Sequence, residues 1–284
     1  MHRPADLSQS KTADAAVKLL WTGGWDSTYQ LLRLLLMQAR PVVPYYLMDT
    51  SRASTQTELR TMEAIRARLC ESFPHVRELL HPVRIFEVDP GEGDREIADA
   101  LRAVRTRVFI GSQYQWLADF CKREDIDGLE LCVHVDDKVH GLLWPLVEAS
   151  IEPGGYRSWH MDRAHEASDE YRLFRYFRFP LLDIDKLAMG RTAESEGWDA
   201  IMEMTWFCHR PAGGKPCGVC GPCVYTIQEG LGRRIPPARR MLSFFYRTLA
   251  LPLKAPARAL RASLRGRSRP PGEARDIDAE RIGG

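Results

Sequence analysis

Four cysteines in the second half of the chain have a spacing that is typical of a metal site. Cys217, Cys220 and Cys223 form consecutive Cys-x2-Cys intervals, and Cys208 precedes them by a short loop. Such intervals let a loop wrap around a tetrahedral ion, and sulfur ligands favour zinc or an iron–sulfur centre. We expect structural zinc (Zn2+), because four thiolates leave no coordination position for water. Free or redox-active thiols are the other interpretation, and the neighbouring His209 is expected to lie outside the ligand set.

A glycine-rich run near the start of the chain has the chemistry of an anion-binding loop. It comprises Trp21, Thr22, Gly23, Gly24, Trp25, Asp26, Ser27 and Thr28. Glycines let a ligand approach the backbone closely, and the free N–H groups and dipole of a following helix attract phosphate. The hydroxyl side chains add donors, while Asp26 has the chemistry to cap the helix or to help hold magnesium (Mg2+). A plain structural turn is the alternative.

The hydrophobic pattern of the first half of the chain indicates the elements that position this run. Strand patterns cover residues 15–21, 42–48, 83–88 and 129–133, and helical patterns cover 26–37, 55–70, 96–107 and 113–122. Alternating strands and helices favour a parallel sheet with helices on both faces. Thr55 and Glu58 indicate a capping box at the head of the second helix. We therefore predict an α/β, Rossmann-like nucleotide-binding domain over residues 14–135.

The pattern weakens beyond residue 135. Residues 136–163 are predicted to be irregular or helical, and residues 185–196 to form a short helix. Residues 171–179 are interpreted as a strand with solvated arginines, and the alternative is a basic, aromatic surface that faces a nucleotide or another anion. These arginines are Arg172, Arg175 and Arg178. With the cysteines, residues 136–234 are predicted to form a small helical and zinc-binding region.

Charge is distributed unevenly, although the whole chain carries 40 basic and 38 acidic residues. Residues 233–284 contain 13 basic and four acidic residues, so a mildly acidic body is followed by a basic tail. We expect a flexible N-terminus over residues 1–13 and a basic, partly disordered tail over residues 235–284. Residues 239–251 suit an amphipathic helix on a membrane or partner, or a helix docked on its own domain, which we favour.

Composition excludes several broad classes of protein. Hydrophobic residues make up 44% of the chain and charged residues 27%, which is typical of globular proteins and not of collagen or coiled coils. No apolar run approaches the roughly 18 residues of a membrane span, and the first residues lack the apolar core of a signal peptide. We expect a cytoplasmic protein without a membrane partner. The isolated Cys70, Cys121 and Cys132 are interpreted as core thiols.

The glycine run resembles the S-G-G-x-D-S signature of the PP-loop ATP pyrophosphatases, with Thr22 in place of the first serine. It is not a Walker loop, because no Gly-Lys-Ser/Thr follows at the required spacing. Further motifs are F-P-L-L-D-I-D-K from Phe179 to Lys186, T-W-F-C-H-R-P from Thr205, and K-P-C-G-V-C-G-P-C ending at Cys223. Together these motifs resemble the 7-cyano-7-deazaguanine synthases, PP-loop enzymes that make the nitrile precursor of queuosine and archaeosine.

This resemblance implies an ATP-dependent ligase that forms C–N bonds. In that family the carboxylate of 7-carboxy-7-deazaguanine is adenylated, ammonia converts it to an amide, and a second activation dehydrates the amide to the nitrile. The glycine run would bind ATP, the four cysteines would bind zinc, and Lys186 would contact phosphate. Asp26, Ser27 and Lys186 are then the candidate catalytic residues. Mg2+, a homodimer and the absence of an amino-acid nucleophile are also implied.

Three segments depart from the family pattern. Residues 49–52 stand where the family has an aromatic-Gly-Gln-Arg stretch, and residues 111–113 stand where it has Gly-Arg-Asn. Residues 132–137 offer no clear counterpart of an Asp-Cys-Arg segment. Within them, His134 and Asp136 would either read a purine edge or form a satisfied loop pair.

These departures keep other functions open. A divergent family member would activate a different carboxylate, or attach a deazaguanine to a protein or nucleic acid, as in antiviral defence. The basic tail suits tRNA, a membrane surface or no ligand at all, and its charge would bind any polyanion without sequence preference. A non-catalytic, zinc-stabilised nucleotide-binding module and a tRNA-thiolating PP-loop enzyme are further alternatives.

Overall fold

The computed structural model describes residues 16–50, 52–88 and 93–250; residues 1–13 and the end of the predicted tail lie outside this part. The strands are β1 Val17–Leu20, β2 Val42–Met48, β3 Arg84–Glu87, β4 Leu129–Glu130, β5 Val147–Ile151, β6 Arg157–Met161 and β7 Phe177–Arg178. The α-helices are α1 Trp25–Leu32, α2 Thr55–Ser72, α3 Val76–Leu79, α4 Arg95–Arg107, α5 Gln113–Arg123, α6 His140–Leu143, α7 Asp169–Phe174, α8 Lys186–Ser195, α9 Asp199–Met202, α10 Gly221–Gln228 and α11 Pro237–Phe245. Among these described helices, none combines the length and the hydropathy needed to cross a membrane.

Five strands form a parallel sheet in the order β3-β2-β1-β4-β7. Leu19 in β1 pairs with Pro44 of β2 on one side and with Glu130 of β4 on the other. Strands β2 and β3 therefore lie on one side of β1, and the later strands β4 and β7 lie on its other side. This reversal leaves a crevice at the carboxyl ends of β1 and β4. The predicted α/β, Rossmann-like fold with a parallel sheet is confirmed, and β2 has the predicted bounds.

Apolar side chains cover both faces of the sheet, so the core consists of two layers. On one face, helices α4, α5 and α7 pack against the sheet through Val104, Leu117, Phe120 and Phe174. On the other face, α1, α2 and α9 contribute Leu31, Ile65, Leu69 and Met202. All of these side chains are buried. The α/β arrangement buries the apolar stripe of each helix while the carboxyl edge of the sheet stays open.

The prediction of an irregular or helical segment over residues 136–163 is wrong for its second half. Strands β5 and β6 pair there as an antiparallel hairpin. Gly154 and Gly155 lie in the connecting loop with φ values of +104° and +80°, a conformation that glycine adopts without strain. The Pro-Gly-Gly sequence of this loop is the signal that indicates the hairpin.

The predicted strand over residues 171–179 is also wrong, because its first half is the end of α7. Ser168 caps this helix by accepting the Tyr171 N–H, so the chain turns helical before the aromatic run begins. Two of the arginines are partly exposed and have carboxylate partners: Arg172 contacts Glu96, and Arg178 lies 3.7 Å from a carboxylate oxygen of Glu152. Arg175 is exposed, as predicted. Arg175 lies over the ring of its neighbour Tyr176 and donates to its hydroxyl.

The capping box predicted for Thr55 and Glu58 does not form. Ser54 occupies the N-cap position of α2, and its hydroxyl donates to Glu58 Oε1 at 2.6 Å. The Thr55 hydroxyl donates backwards to the carbonyl oxygen of Asp49 at 2.8 Å. The helix therefore begins where predicted, but with different partners.

A buried carboxylate, Glu130, connects the two sides of the strand reversal. Its Oε2 accepts a hydrogen bond of 2.9 Å from Gln30 Nε2 in α1, and its Oε1 accepts one from the Tyr156 hydroxyl next to the hairpin. Burial raises the pKa of Glu130 to about 7, although both hydrogen bonds and the charge of Arg33 act in the opposite direction. Glu130 therefore gains a proton near neutral pH.

This buried carboxylate predicts a pH-dependent stability. The pKa of Glu130 is about 7 in the folded protein and 4.5 by its ordinary value, so between these limits the folded state binds more protons than the unfolded state. The free energy of unfolding should therefore fall by about 3 kcal/mol as pH rises through this window. Glu130→Gln should remove that fall, which urea unfolding at about pH 5 and about pH 7.5 would measure. Parallel pH profiles for the two proteins would contradict the assignment.

Candidate functional site

A cavity of about 470 Å³ opens at the carboxyl ends of β1 and β4, in the crevice left by the strand reversal. Its lining comes from the glycine run, from residues 109–114, from residues 134–139 and from the segment around the cysteines. Open parallel sheets bind their ligands at this place in the fold. The cavity is therefore the candidate functional site.

The glycine run is divided between lining the cavity and holding the loop in place. Thr22, Gly24, Trp25 and Asp26 line the cavity, whereas Trp21, Gly23, Ser27 and Thr28 lie behind it. The indole of Trp21 donates to Thr28 Oγ1 at 3.0 Å, and both side chains are fully buried. The Thr22 N–H points to Ser27 Oγ at 3.4 Å. These contacts hold the turn in place, with residues 24–26 on the lining of the cavity.

Gly23 is the position in this loop where a side chain is not tolerated. Its φ is +68°, and a Cβ would lie 3.1 Å from Met62 Cγ. Its carbonyl oxygen accepts the N–H of Trp206 at 2.8 Å. The glycine run is thereby fixed to the segment that leads into the cysteines.

Helix α1 starts at this loop without a side-chain cap. Gly24 occupies its N-cap position, and Asp26 lies in the first turn but does not cap it. The first N–H groups of a helix have no partner within the helix, and they carry the positive end of its dipole. Asp26 Oδ1 is buried and has no hydrogen-bond partner among the described residues. Of the two roles considered for Asp26, capping is therefore wrong, and its carboxylate faces the cavity.

Lys186 lies at the same place, although it is far from the glycine run in sequence. Its Nζ is 3.8 Å from Asp26 Oδ1 and 2.7 Å from Glu229 Oε2. Burial lowers the pKa of Lys186, but the carboxylates of Asp26 and Glu229 outweigh burial, and the net pKa is raised above its ordinary value. The cavity therefore holds a charged lysine beside an acidic residue of the glycine run.

His134 faces Asp26 from the other side of the crevice. Its Nδ1 accepts the backbone N–H of Asp136 at 3.2 Å, which places the ring proton of the neutral side chain on Nε2. Nε2 lies 3.6 Å from Asp26 Oδ1. His134 is thus partnered within its loop, and it also borders the cavity. The geometry is therefore compatible with a satisfied loop pair and also with contact between His134 and a ligand in the cavity.

Arg234 is a lining residue that sequence reasoning missed. Its guanidinium lies between the rings of Trp25 and Phe207, 5.1 and 5.0 Å from their centroids. It also donates to the hydroxyl of Thr205 at 2.7 Å. Burial lowers the pKa of Arg234 to about 10 despite the nearby carboxylate of Glu203. Nothing in the local sequence distinguishes this arginine from those of the basic tail.

Glu58 is a second missed residue, on the opposite wall. Its carboxylate accepts the Tyr46 hydroxyl at 2.7 Å in addition to the Ser54 hydroxyl. Burial raises the pKa of Tyr46, and the hydrogen bond to Glu58 adds to the rise. The sequence indicated Glu58 only as a helix-capping residue, because its cavity-facing position depends on the packing of α2 against β2.

The segments that depart from the family pattern all contribute to the cavity. Arg52 follows β2, Gly111 and Gln113 stand at the start of α5, and the third segment contributes His134 and Asp136. Arg52 is held by Asp49 through an ion pair of 3.1 Å. The residues that differ from the family therefore lie where they can contact a ligand.

The four cysteines form a compact sulfur cluster. All four Sγ atoms lie within 4.8 Å of one another. The Sγ atoms of Cys217 and Cys223 are 3.9 Å apart, as are those of Cys208 and Cys220. A zinc ion with Zn–S bonds of about 2.3 Å has a tetrahedral sulfur–sulfur edge of about 3.8 Å. The donor set and its spacing can therefore hold a metal ion such as zinc.

Backbone N–H groups support this cluster. The N–H of Cys217 points to Cys208 Sγ at 3.2 Å, and that of Cys220 points to Cys217 Sγ at 3.3 Å. Hydrogen bonding with Cys220 raises the pKa of the Cys208 thiol, and burial adds to the rise. His209 is not part of the cluster and lines the cavity, where burial and then the charge of Arg52 lower its pKa.

The sulfur cluster also shapes the cavity. Trp206 and Phe207 directly precede Cys208. Tyr225 and Thr226 follow Cys223 on α10, and Glu229 directly follows that helix. All of these residues line the cavity. A metal ion held by the cysteines would fix this wall.

Comparison of the chain with protein-family models and with curated proteins finds no match. The resemblance to a family therefore depends on the motifs and on their arrangement around the cavity.

Replacement of one cysteine of the cluster should release the metal. We expect wild-type protein to carry zinc and Cys220→Ser to carry much less, because a missing thiolate opens the tetrahedral site. We also expect a lower Tm, since metal-binding energy contributes to folding. Elemental analysis and thermal unfolding would measure both effects. Cys70→Ser is the matched control, because Cys70 is a free cysteine outside the cluster. Equal zinc contents in the two variants, or iron in place of zinc, would contradict the prediction.

Proposed function

We propose that this protein uses ATP to activate 7-carboxy-7-deazaguanine and joins it with ammonia to form 7-cyano-7-deazaguanine. The observation that carries this proposal is the convergence of the glycine run, Lys186 and the cysteine-containing segment at one cavity. These parts are far apart in sequence, and each belongs to a motif of the family that the chain resembles. Their position at the strand reversal supports a nucleotide as the ligand.

In the proposed reaction, a carboxylate oxygen of the substrate attacks the α-phosphorus of ATP as the bond to pyrophosphate breaks. Ammonia then adds to the activated carbonyl carbon, and AMP and a proton leave to give the amide. The amide oxygen attacks a second ATP in the same way and releases pyrophosphate. Loss of AMP and a proton then gives the nitrile. No amino-acid nucleophile is needed for these steps.

The residues of the cavity supply positioning and charge. The uncapped N–H groups of α1 would receive the phosphates, and Lys186 would offset the charge on the leaving pyrophosphate. Glu229 holds the lysine ammonium in place. Asp26 would hold Mg2+, because its buried oxygen lacks a hydrogen-bond donor and carboxylate oxygen suits this hard cation. Zinc on the cysteines would be structural.

A second candidate function is transfer of the activated base to a protein or nucleic acid. Phe109, on the lining of the cavity, is 78% exposed, so a large acceptor could contact it while the base occupies the cavity. The altered segments around the cavity also favour a changed acceptor. A different carboxylate would be accommodated by the same arrangement.

The proposed reaction predicts formation of the nitrile in a defined mixture. Zinc-loaded protein, ATP, Mg2+, ammonium and 7-carboxy-7-deazaguanine should give a product that has gained nitrogen and lost two oxygens, detected by mass spectrometry. Asp26→Asn should abolish it, because the carboxylate facing the phosphates is lost. Asp183→Asn, an exposed aspartate paired with Arg157 outside the cavity lining, should leave the product unchanged.

The alternatives give different results in this assay. Accumulation of the amide or adenylate would favour transfer to another acceptor. If ATP is bound but not consumed, the protein is a nucleotide-binding module. If neither ATP nor substrate is affected, the proposed function is wrong.

Lys186→Gln should slow ATP consumption by about 10²–10³-fold, because a buried positive charge beside the leaving pyrophosphate is lost. The substitution preserves most of the side-chain length, so zinc content should change little. The free energy of unfolding should fall, since Asp26 and Glu229 lose their positively charged partner. Lys215→Gln is the control, since Lys215 is exposed and does not line the cavity. Pyrophosphate release measures the rate, and equal rates for the two variants would exclude the role proposed for Lys186.

A further inference from the structure

The last α-helix, α11, presents its apolar side to solvent. Met241, Leu242, Phe244 and Phe245 are each between 45% and 64% exposed. Ser243, which stands between them in sequence, is buried instead. A surface helix ordinarily buries its apolar side against the core and exposes its polar side. The orientation of α11 is therefore the reverse of the usual one.

Contacts with the cysteine loop hold α11 in this orientation. The helix follows Ile235, which is buried beside the cysteines. A Cβ on Gly218 would lie only 2.5 Å from the carbonyl oxygen of Arg239, so the first turn of α11 rests directly on the loop. The helix is thus docked on its own domain, as predicted, but through its polar side.

Positive charge borders the exposed apolar side. With 3.6 residues per turn, Arg239 and Arg240 fall on opposite edges of this side, and Arg247 follows further along the chain. Residues 233–250 contain no acidic residue. The sequence from residue 251 onwards adds eight basic and four acidic residues. The exposed apolar side chains therefore belong to a basic part of the chain.

We propose that α11 is a surface helix that binds the protein to an anionic lipid bilayer. Its apolar side chains would enter the boundary between headgroups and acyl chains, and its arginines would contact the lipid phosphates. This proposal departs from the sequence-based expectation of no membrane partner. It is independent of the reaction proposed for the cavity.

Charge argues against the occupants that the chain itself could supply. A second copy laid face to face on α11 would bring arginines beside arginines. Residues 251–271, which follow α11 in the chain, carry six basic and no acidic residues, so they would meet like charge at the helix edges. A nucleic acid would match the arginines but gives no reason for four exposed apolar side chains. An anionic bilayer accounts for both the charge and the apolar surface.

The test is binding of the full chain to lipid vesicles, measured by co-sedimentation. We expect binding to vesicles of phosphatidylcholine mixed with phosphatidylglycerol, and much weaker binding to phosphatidylcholine alone. The double substitution Phe244→Ser and Phe245→Ser should lower the partition coefficient between vesicles and water by about tenfold or more. The reason is that two apolar side chains no longer contact the acyl chains. Ile151→Ser combined with Leu187→Ser is the matched control, since these exposed apolar residues lie on other elements. This control should bind like the wild type.

A second variant keeps the test valid if the phenylalanine variant fails to fold. Arg239→Gln combined with Arg240→Gln should weaken binding to the mixed vesicles by about fivefold per charge and reduce its salt dependence.

Three results would overturn the proposal. The first is equal binding to the two kinds of vesicle, or to neither. The second is full binding of the phenylalanine variant to mixed vesicles, which would assign the attraction to the basic tail alone. The third is a halved molecular mass of that variant in light scattering, which would show that a second copy covers α11.

Discussion

A backbone hydrogen bond from the Trp206 N–H to the Gly23 carbonyl oxygen joins the two halves of the candidate site. Gly23 can offer its carbonyl in this direction because its positive φ turns the chain sharply after β1. On one side of the bond lies the uncapped start of α1, and on the other lies the wall built on the sulfur cluster. The geometry of the cavity therefore depends on a turn that any side chain would disturb.

The charged groups inside the cavity contribute little net stability. Asp26, Lys186 and Glu229 are largely withdrawn from water, and burying such groups costs about as much free energy as their attraction returns. Asp26 in particular keeps an oxygen without a hydrogen-bond donor among the described residues. A cation or a phosphate-bound ion would supply what is missing. Local conflicts of this kind are expected at functional sites, where a stable core would avoid them.

The sequence indicates most of the sheet and part of the site, for reasons that are local. Continuous apolar patterns predict β2 with its observed bounds, and the helix predicted over residues 185–196 is α8, which is shorter by one residue at each end. The cysteine spacing predicts the sulfur cluster because its ligands are near one another in the chain. One failure is local, because an aromatic run suits a strand as well as a helix and α7 depends on the nearby cap at Ser168. The other failures are non-local. Arg234 and Glu58 enter the cavity through packing between distant elements, which periodicity does not report.

The separation in sequence between the two halves of the cavity has a consequence for how the protein is made. The glycine run leaves the ribosome early, but its hydrogen-bond partner Trp206 and the stacking Arg234 come much later. Contacts between residues that are distant in sequence form late, because the entropy of closing a long loop is lost before these contacts contribute favourable free energy. The sheet can begin to assemble on the growing chain, whereas the cavity can close only when synthesis has passed the cysteines. Binding of a metal ion by the cysteines would then be a late step, after most of the sheet has formed.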